Sequence, residues 1–225
     1  MTTIALTGGI ASGKTTIARR LRELGAEILD ADAFARRAVE PGGRGLRALV
    51  ERYGERILLA DGTLDRAALA EIIFGDARER ECVNEILHPE IRRLTAERLA
   101  AIRQDDPEAI VVHDIPLLVE AHHNYDYDEI WVVDSPAELR IARLVEERGM
   151  DPAEARRRVE AQVSDEERRA FADVLIDSTQ PLEQMLAEVD QLWARVARES
   201  LREGEEEHYD GTPRRGEESE GELAE

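Results

Sequence analysis

The stretch 3–16 reads T-I-A-L-T-G-G-I-A-S-G-K-T-T. Residues Thr3 to Thr7 form a short run of apolar and β-branched side chains, which predicts a buried strand. From Lys14 to Leu24 the apolar residues recur at helical spacing, and Gly25 marks the end of that helix. A strand, a glycine-rich turn and a helix therefore follow one another, as at the start of a parallel α/β sheet.

The turn itself, Gly8 to Thr15, matches the glycine-rich phosphate-binding loop in pattern and in context. Glycines let successive backbone N–H groups point at an anion, and the helix N-terminus adds partial positive charge. The motif predicts that Lys14 reaches the β and γ phosphates of ATP and that the Thr15 hydroxyl binds Mg²⁺. The predicted nucleotide-binding residues are Gly8, Gly9, Ala11, Ser12, Gly13, Lys14, Thr15 and Thr16.

Lys14 is the single lysine in a chain with 29 arginines. Its ammonium group is a compact point charge, whereas the guanidinium fork of arginine is too wide for a crowded cradle of amides. The composition and the motif thus give two partly independent reasons to place a phosphate site at Lys14.

The 225 residues allow one large α/β domain, and no apolar run approaches the roughly 18 residues of a membrane span. A lone cysteine, Cys82, excludes a disulfide scaffold and fits a reducing compartment, so we expect a cytoplasmic protein. The net charge of −20 opposes binding to nucleic acid or to anionic membranes. Nothing in the sequence indicates an obligate protein partner.

Further strands are predicted at residues 27–29, 110–113, 130–133 and 174–176, each followed by a turn and a helical pattern. Near-continuous apolar strands separated by helices predict a three-layer α/β fold with a parallel sheet covered on both faces.

Two helical segments are predicted to be mounted on this core domain, which spans residues 1–198. The first is an insertion at about 33–108, with helices at 65–74, 77–87 and 89–103. The second is an arginine-rich hairpin at 137–169, broken near Gly149 and Pro152, whose part from about 143 to 169 is a candidate lid.

Residues 199–225 hold 11 acidic and 3 basic residues, which predicts an acidic disordered tail. The loop residues His122, His123, Asp126 and Asp128 fit no standard zinc spacing, so an exposed loop is predicted there.

A signalling GTPase needs a guanine-selecting Asn-Lys-x-Asp element, and the single lysine already belongs to the phosphate loop. The acidic balance also disfavours motor ATPases and recombinases that act on nucleic acid. A small-molecule kinase is the simplest remaining class.

From residue 2 to about 198 the sequence resembles the dephospho-CoA kinase family. The segments that carry the resemblance are L-T-G-G-I-A-S-G-K-T from Leu6, L-D-A-D at 29–32, E-P-G at 40–42, D-G-T-L-D-R at 61–66, I-I-F at 72–74, N-E-I-L-H-P at 84–89, D-I-P-L-L-V-E at 114–120, W-V-V-D from Trp131, Gln162 and A-D-V-L-I-D at 172–177. One departure is Ser178, where the family commonly has asparagine near the adenine site.

This resemblance implies a phosphate-loop kinase with ATP and Mg²⁺ that phosphorylates the ribose 3′-hydroxyl of dephospho-CoA, a small-molecule acceptor. It implies that Asp32 orients or deprotonates the acceptor hydroxyl, although Asp32 could instead cap the following helix. Asp114 ends the third strand, where a carboxylate holds Mg²⁺ through a water, or serves only the turn.

Arg143 and Arg148 are predicted to be catalytic arginines, because both could reach the transferring phosphate from the end of one helix. For acceptor binding, the resemblance implies His88, Pro116 and Leu117. Arg36 is a further candidate for the acceptor pyrophosphate, with a solvated helix face as the alternative.

Two other functions stay open at this point. Another small-molecule kinase, such as a nucleoside monophosphate kinase, would share the phosphate loop and the lid. A nucleotide-dependent binding switch would instead use the acidic tail on a partner.

Overall fold

The computed structural model describes residues 1–120 and 127–208. In this part of the chain a five-stranded sheet has the order β2-β3-β1-β4-β5, and every neighbouring pair is parallel. Each strand lies within one residue of its predicted bounds, and the predicted parallel α/β fold is confirmed. The strands are β1 (Thr2–Gly8), β2 (Glu27–Asp30), β3 (Ile110–Asp114), β4 (Glu129–Asp134) and β5 (Val174–Asp177).

Helices follow β1, β2, β4 and β5 and cover both faces of the sheet, which gives three layers. Ile17 of the first helix and Val189 of the last are fully buried with Ile4 on one face. Leu94 of the fifth helix shares a buried cluster with Val111 on the other face. The helices are α1 (Lys14–Glu23), α2 (Ala31–Ala38), α3 (Arg44–Tyr53), α4 (Arg66–Ile73), α5 (Ala77–Asp105), α6 (Ala137–Glu146), α7 (Pro152–Glu160), α8 (Asp165–Ala170) and α9 (Leu182–His208).

Helices α2 to α5 lie between β2 and β3, where the sequence predicts a helical insertion. Leu49, Ile57 and Val83 form a separate buried cluster among α3, α4 and α5. The insertion therefore has a small apolar core of its own beside the sheet.

The prediction of two helices at 77–87 and 89–103 is wrong, because α5 continues through Pro89. Proline removes one backbone hydrogen bond and crowds the preceding turn. Val83 on one side of Pro89 and Leu94 on the other are buried in different clusters, so tertiary packing holds both halves in one helix.

The arginine-rich segment after β4 forms three helices, α6 to α8, rather than a two-helix hairpin. Its predicted break coincides with the turn between α6 and α7. Gly149 has a φ of +64° in that turn, and Pro152 is the first residue of α7. Leu144 of α6 and Val159 of α7 are buried together, which pairs these two helices.

The predicted start of a disordered tail at Glu199 is wrong, because α9 runs to His208. Arg195 pairs with Glu199 at 2.9 Å one turn along the helix, and Ser200 is only 8% exposed. Glutamate is a good helix former, so high acidic content does not end a helix that is anchored at its start. The rest of the tail, 209–225, and the loop residues 121–126 lie outside the described residues.

No helix in the described ranges is both long enough and apolar enough to cross a membrane.

Candidate active site

A cavity of about 800 Å³ opens beside the carboxyl end of β1. Parallel sheets present ligand sites at the carboxyl ends of their strands, because the connecting loops meet there. The predicted site residues that line this cavity are Gly8, Gly9, Ala11, Ser12, Gly13, Lys14, Thr15, Thr16, Asp32, Pro116, Leu117, Arg143 and Arg148.

The loop between β1 and α1 turns sharply at its end, where Gly13 has a φ of +98°. Gly13 is also the N-cap residue of α1 and has no side chain to accept a hydrogen bond from the first turn. The first backbone N–H groups of a helix have no partner within the helix. The N-terminus of α1 therefore lies at the cavity, and no side chain caps its first backbone N–H groups.

Packing explains why Gly8 and Gly9 are glycines. A Cβ atom on Gly8 would lie 2.7 Å from the Ser12 hydroxyl oxygen, and one on Gly9 would lie 2.4 Å from a guanidinium nitrogen of Arg140. Both separations are too short for a real side chain. The buried Ser12 hydroxyl finds no hydrogen-bond partner in the described part of the chain.

The Lys14 ammonium group forms an ion pair with the Asp114 carboxylate, and both side chains are largely buried. Burial lowers the pKa of Lys14 to about 8, while the carboxylates of Asp32 and Asp30 act in the opposite direction. Three carboxylates thus surround the amine, and its charge is maintained at neutral pH.

Asp32 lies in the first turn of α2 and is exposed to the cavity. The capping alternative for Asp32 is wrong, because Asp30 caps this helix by accepting a hydrogen bond from the Ala33 backbone N–H at 3.1 Å. Within the described ranges the Asp32 carboxylate forms no hydrogen bond or ion pair. It is therefore available to a ligand.

The two arginines that the sequence grouped together have different surroundings. Arg143 donates from Nη1 to the carbonyl oxygens of Ala11 and Ser12, each at 3.2 Å, and from Nη2 to the Ser178 carbonyl at 2.6 Å. Arg148 is exposed on the cavity and has no hydrogen bond or ion pair to another described residue. Arg143 ties backbone segments together, whereas Arg148 keeps its guanidinium group for a ligand.

The structure does not bring Arg36 or His88 to this cavity. The exposed Arg36 side chain pairs with Asp30 at 3.3 Å, back along α2. His88 lies half-buried on α5, where burial and the nearby Arg92 lower its pKa. Asp114 reaches the site through Lys14 rather than by lining the cavity.

The sequence analysis did not predict two contacts with the loop, one made by Arg140 and one by Gln162. The Gln162 side-chain oxygen accepts the Ile10 backbone N–H at 2.8 Å, and Arg140 is buried beside Gly9. Gln162 is 152 positions from Ile10, so no local pattern predicts the contact. Arg140 carried no signal that set it apart from the other arginines.

The chain matches known proteins over most of its length. A family model described as dephospho-CoA kinase matches residues 2–184. A dephospho-CoA kinase of Leifsonia xyli subsp. xyli is 48% identical over 194 residues, which cover 86% of this chain and 98% of that protein. One of Thermobifida fusca is 42% identical over 198 residues, with 88% and 98% covered.

Solved structures agree with this match. The crystal structure of TT1252 from Thermus thermophilus aligns with a TM-score of 0.73 at 34% identity, covering 86% of this chain and 97% of that one. A dephospho-CoA kinase from Campylobacter jejuni aligns with a TM-score of 0.61 at 21% identity, covering 87% and 97%, and shows the shared fold. The family match spans the phosphate loop, the insertion and the helices after β4, so the chain belongs to the dephospho-CoA kinase family.

Proposed function

We propose that the protein transfers the γ-phosphoryl group of ATP to the ribose 3′-hydroxyl of dephospho-CoA and thereby makes coenzyme A. Membership of the family makes the chain a kinase of the last step of coenzyme A synthesis. One observation supports the assignment of roles. Lys14, at the uncapped start of α1, and Asp32 line the same cavity, so a phosphate-binding cation and a free carboxylate face one ligand space.

The donor phosphates bind to the loop at 8–16. Backbone N–H groups at the start of α1 and the Lys14 ammonium group supply positive potential where negative charge gathers during transfer. When phosphates enter, Lys14 exchanges at least part of its ion pair with Asp114 for them. A preformed cradle of this kind lowers the barrier because its dipoles need little reorganisation during the reaction.

Asp32 accepts the proton of the acceptor hydroxyl. It is exposed to the cavity and forms no hydrogen bond or ion pair within the described ranges. Phosphoryl transfer needs alignment more than covalent help, so a single carboxylate that orients the hydroxyl is sufficient.

The donor set at the site fits Mg²⁺. The Thr15 hydroxyl and the Asp114 carboxylate offer only oxygen, the ligand that this hard cation prefers. Among the described residues no group of three or more His, Cys, Asp and Glu side chains could hold a metal by itself. Mg²⁺ is bound through one or two protein groups and the substrate phosphates, and Thr15 and Asp114 can supply those protein groups. When bound, the ion neutralises phosphate charge; Thr15 would hold it directly and Asp114 through a water.

Arg148 contacts the transferring phosphoryl group, since its guanidinium group is exposed to the cavity without a protein partner in the described ranges. Arg143 lines the same cavity but donates to three backbone carbonyls, so it supports the loop and the Ser178 segment.

Acceptor binding is assigned to the part of the cavity lined by Pro116 and Leu117, the same cavity that Asp32 lines. Leu117 is half-exposed, which leaves an apolar surface for the acceptor. Arg36 and His88, on the helical insertion, do not line this cavity, so their contact with the acceptor stays a prediction from the sequence.

The test is to incubate the full chain with Mg²⁺, ATP and dephospho-CoA. Mass spectrometry should find one added phosphoryl group, and coupling between phosphorus and the ribose H3′ in the NMR spectrum of the product should fix its position. Authentic coenzyme A serves as the reference. Absence of product, or phosphorylation at another hydroxyl, would contradict the proposal.

A further inference from the structure

Gln162 connects the segment between α7 and α8 to the nucleotide loop. Its Oε1 atom accepts the backbone N–H of Ile10 at 2.8 Å, and the side chain lines the cavity. Ile10 lies inside the loop but ahead of the residues at the start of α1. Its N–H donates to a side chain from another part of the fold.

Arg140 contacts the same Gln162 oxygen that accepts the Ile10 N–H. Its guanidinium group is buried, with only 3% of the residue exposed, and its Nη1 lies 3.4 Å from Gln162 Oε1. Arg140 also donates from Nε to the Ser135 carbonyl at 3.0 Å and forms an ion pair with Asp165. The same guanidinium group fills the space beside Gly9. Gln162 and Arg140 thus touch two successive residues of the loop.

The backbone around Gln162 is itself fixed. Arg168 is buried and donates to Asp165 at 3.0 Å and to the Val163 carbonyl at 3.1 Å. The Val163 N–H donates to Glu120 at 3.4 Å. This network anchors the segment 162–164 to α8 and to Glu120, which follows β3. Gln162 is therefore presented to the loop by a rigid support.

We propose that Gln162 is a positioning residue that fixes the nucleotide loop in its binding conformation before ATP arrives. The proposal rests on the function proposed above for the same cavity. A loop that is already ordered binds nucleotide without losing that conformational freedom on binding. Because the phosphates also order the loop once bound, loss of Gln162 should weaken nucleotide binding more than it slows the chemical step.

The experiment compares the full-length protein with Gln162→Ala, Gln162→Leu and Gln162→Glu. Gln104→Ala is the matched control, since Gln104 is exposed on α5 and does not line the cavity. Two readouts are independent of acceptor turnover: the dissociation constant of ADP by calorimetry, and hydrogen exchange of the Ile10 amide by NMR without nucleotide. Steady-state kinetics add KM for ATP, KM for dephospho-CoA and kcat.

We expect Gln162→Ala and Gln162→Leu to raise the ADP dissociation constant and the KM for ATP about 10-fold. Exchange of the Ile10 amide should speed up by a similar factor, while KM for dephospho-CoA and kcat stay within about 3-fold of wild type. Gln162→Glu keeps an acceptor for Ile10 N–H and should retain the amide protection. Leucine fills the volume of glutamine, so it separates the lost acceptor from a cavity if the alanine variant fails to fold.

Wild-type ADP affinity together with unchanged Ile10 exchange in the leucine variant would overturn the proposal. A lower melting temperature of the leucine variant with unchanged ADP affinity would also overturn it, because that result indicates a structural role only. Failure of the function proposed above would give a different result, since the wild-type protein would then bind ADP normally yet form no coenzyme A.

Discussion

Lys14 and Asp114 form an ion pair that joins the first residue of α1 to the last residue of β3. The sheet register sets this contact, because Asp114 lies opposite Leu6 of β1, two residues before the loop begins. The amine is thereby held at the cavity before nucleotide binds, with a pKa of about 8 that leaves it charged at neutral pH.

Exchange of Lys14 for arginine should lower kcat/KM about 10³-fold, and exchange for alanine at least as much. The guanidinium fork is wider than the ammonium group and does not fit beside Asp114 in the crowded loop. Steady-state kinetics with ATP measure this. Arg157→Lys, at an exposed position on α7 away from the cavity, is the reciprocal control and should keep wild-type turnover. Wild-type activity of Lys14→Arg would contradict the claim that arginine cannot replace the single lysine in the phosphate loop.

Asp32→Asn should lower kcat by about 10²-fold or more with ATP affinity retained, because only the acceptor hydroxyl loses its proton acceptor. Asp76→Asn provides the control, since Asp76 caps α5 away from the cavity, asparagine caps a helix as well as aspartate does, and turnover should stay within about 3-fold of wild type. Calorimetry reports ATP binding and an acceptor assay reports kcat. Equal turnover of Asp32→Asn and wild type would refute the assignment of the base.

Arg148→Ala should reduce kcat about 10- to 100-fold with little change in stability, because its guanidinium group serves only a ligand. Arg143→Ala should also lower the melting temperature, since Arg143 donates to Ala11, Ser12 and Ser178 in the folded protein. Kinetics and thermal unfolding on both variants separate the two roles. The assignment fails if Arg148→Ala loses stability without losing turnover.

Glu129 makes folding stability depend on pH at the junction of β4 and α9. Hydrogen bonds from Arg195 at 2.5 and 2.7 Å and from the Trp131 indole at 2.6 Å hold the pKa of this carboxylate below its ordinary value of 4.5. A depressed folded-state pKa contributes stability that is present above pH 4.5 and is lost as the pH falls through the folded value.

Wild type should therefore exceed Glu129→Gln in free energy of unfolding by about 1–2 kcal/mol at pH 7, and the gap should shrink below pH 4.5. Glutamine keeps an acceptor for the Trp131 indole but removes the charge that Arg195 meets. Urea unfolding at a series of pH values measures the difference. A gap that does not change with pH would show that the ion pair is not its source.

Deletion of residues 209–225 should leave turnover nearly unchanged, because the described residues that line the cavity all lie between positions 8 and 185. Deletion from Glu199 should in addition lower the melting temperature, since it removes the Arg195–Glu199 pair and buried Ser200. Thermal unfolding and the acceptor assay on both truncations test this. Loss of turnover on the shorter deletion would favour a tail that acts on a partner.

Local chemistry made the strands and the phosphate loop predictable. The loop needs glycines at fixed positions between a strand and a helix, and buried parallel strands must be apolar on both faces. Pro89 predicts a helix break that does not occur, because burial on both sides of the proline holds the helix together, and only the tertiary structure shows that burial.

The contacts of Arg140 and Gln162 were beyond prediction for a different reason. They join residues far apart in sequence, and one arginine among 29 looks like any other until the fold buries it. Asp30 and Asp32 show the same limit at short range. They lie two residues apart at the start of α2, and only the backbone geometry decides which of them caps the helix.

The most direct test of the central claim is a competition assay in which dephospho-CoA, CMP and GMP are present at equal concentrations with limiting ATP and Mg²⁺. The ratio of products equals the ratio of kcat/KM values for the acceptors. We predict that coenzyme A exceeds each nucleoside diphosphate by about 10³-fold or more. Accumulation of CDP or GDP as the main product would contradict the account.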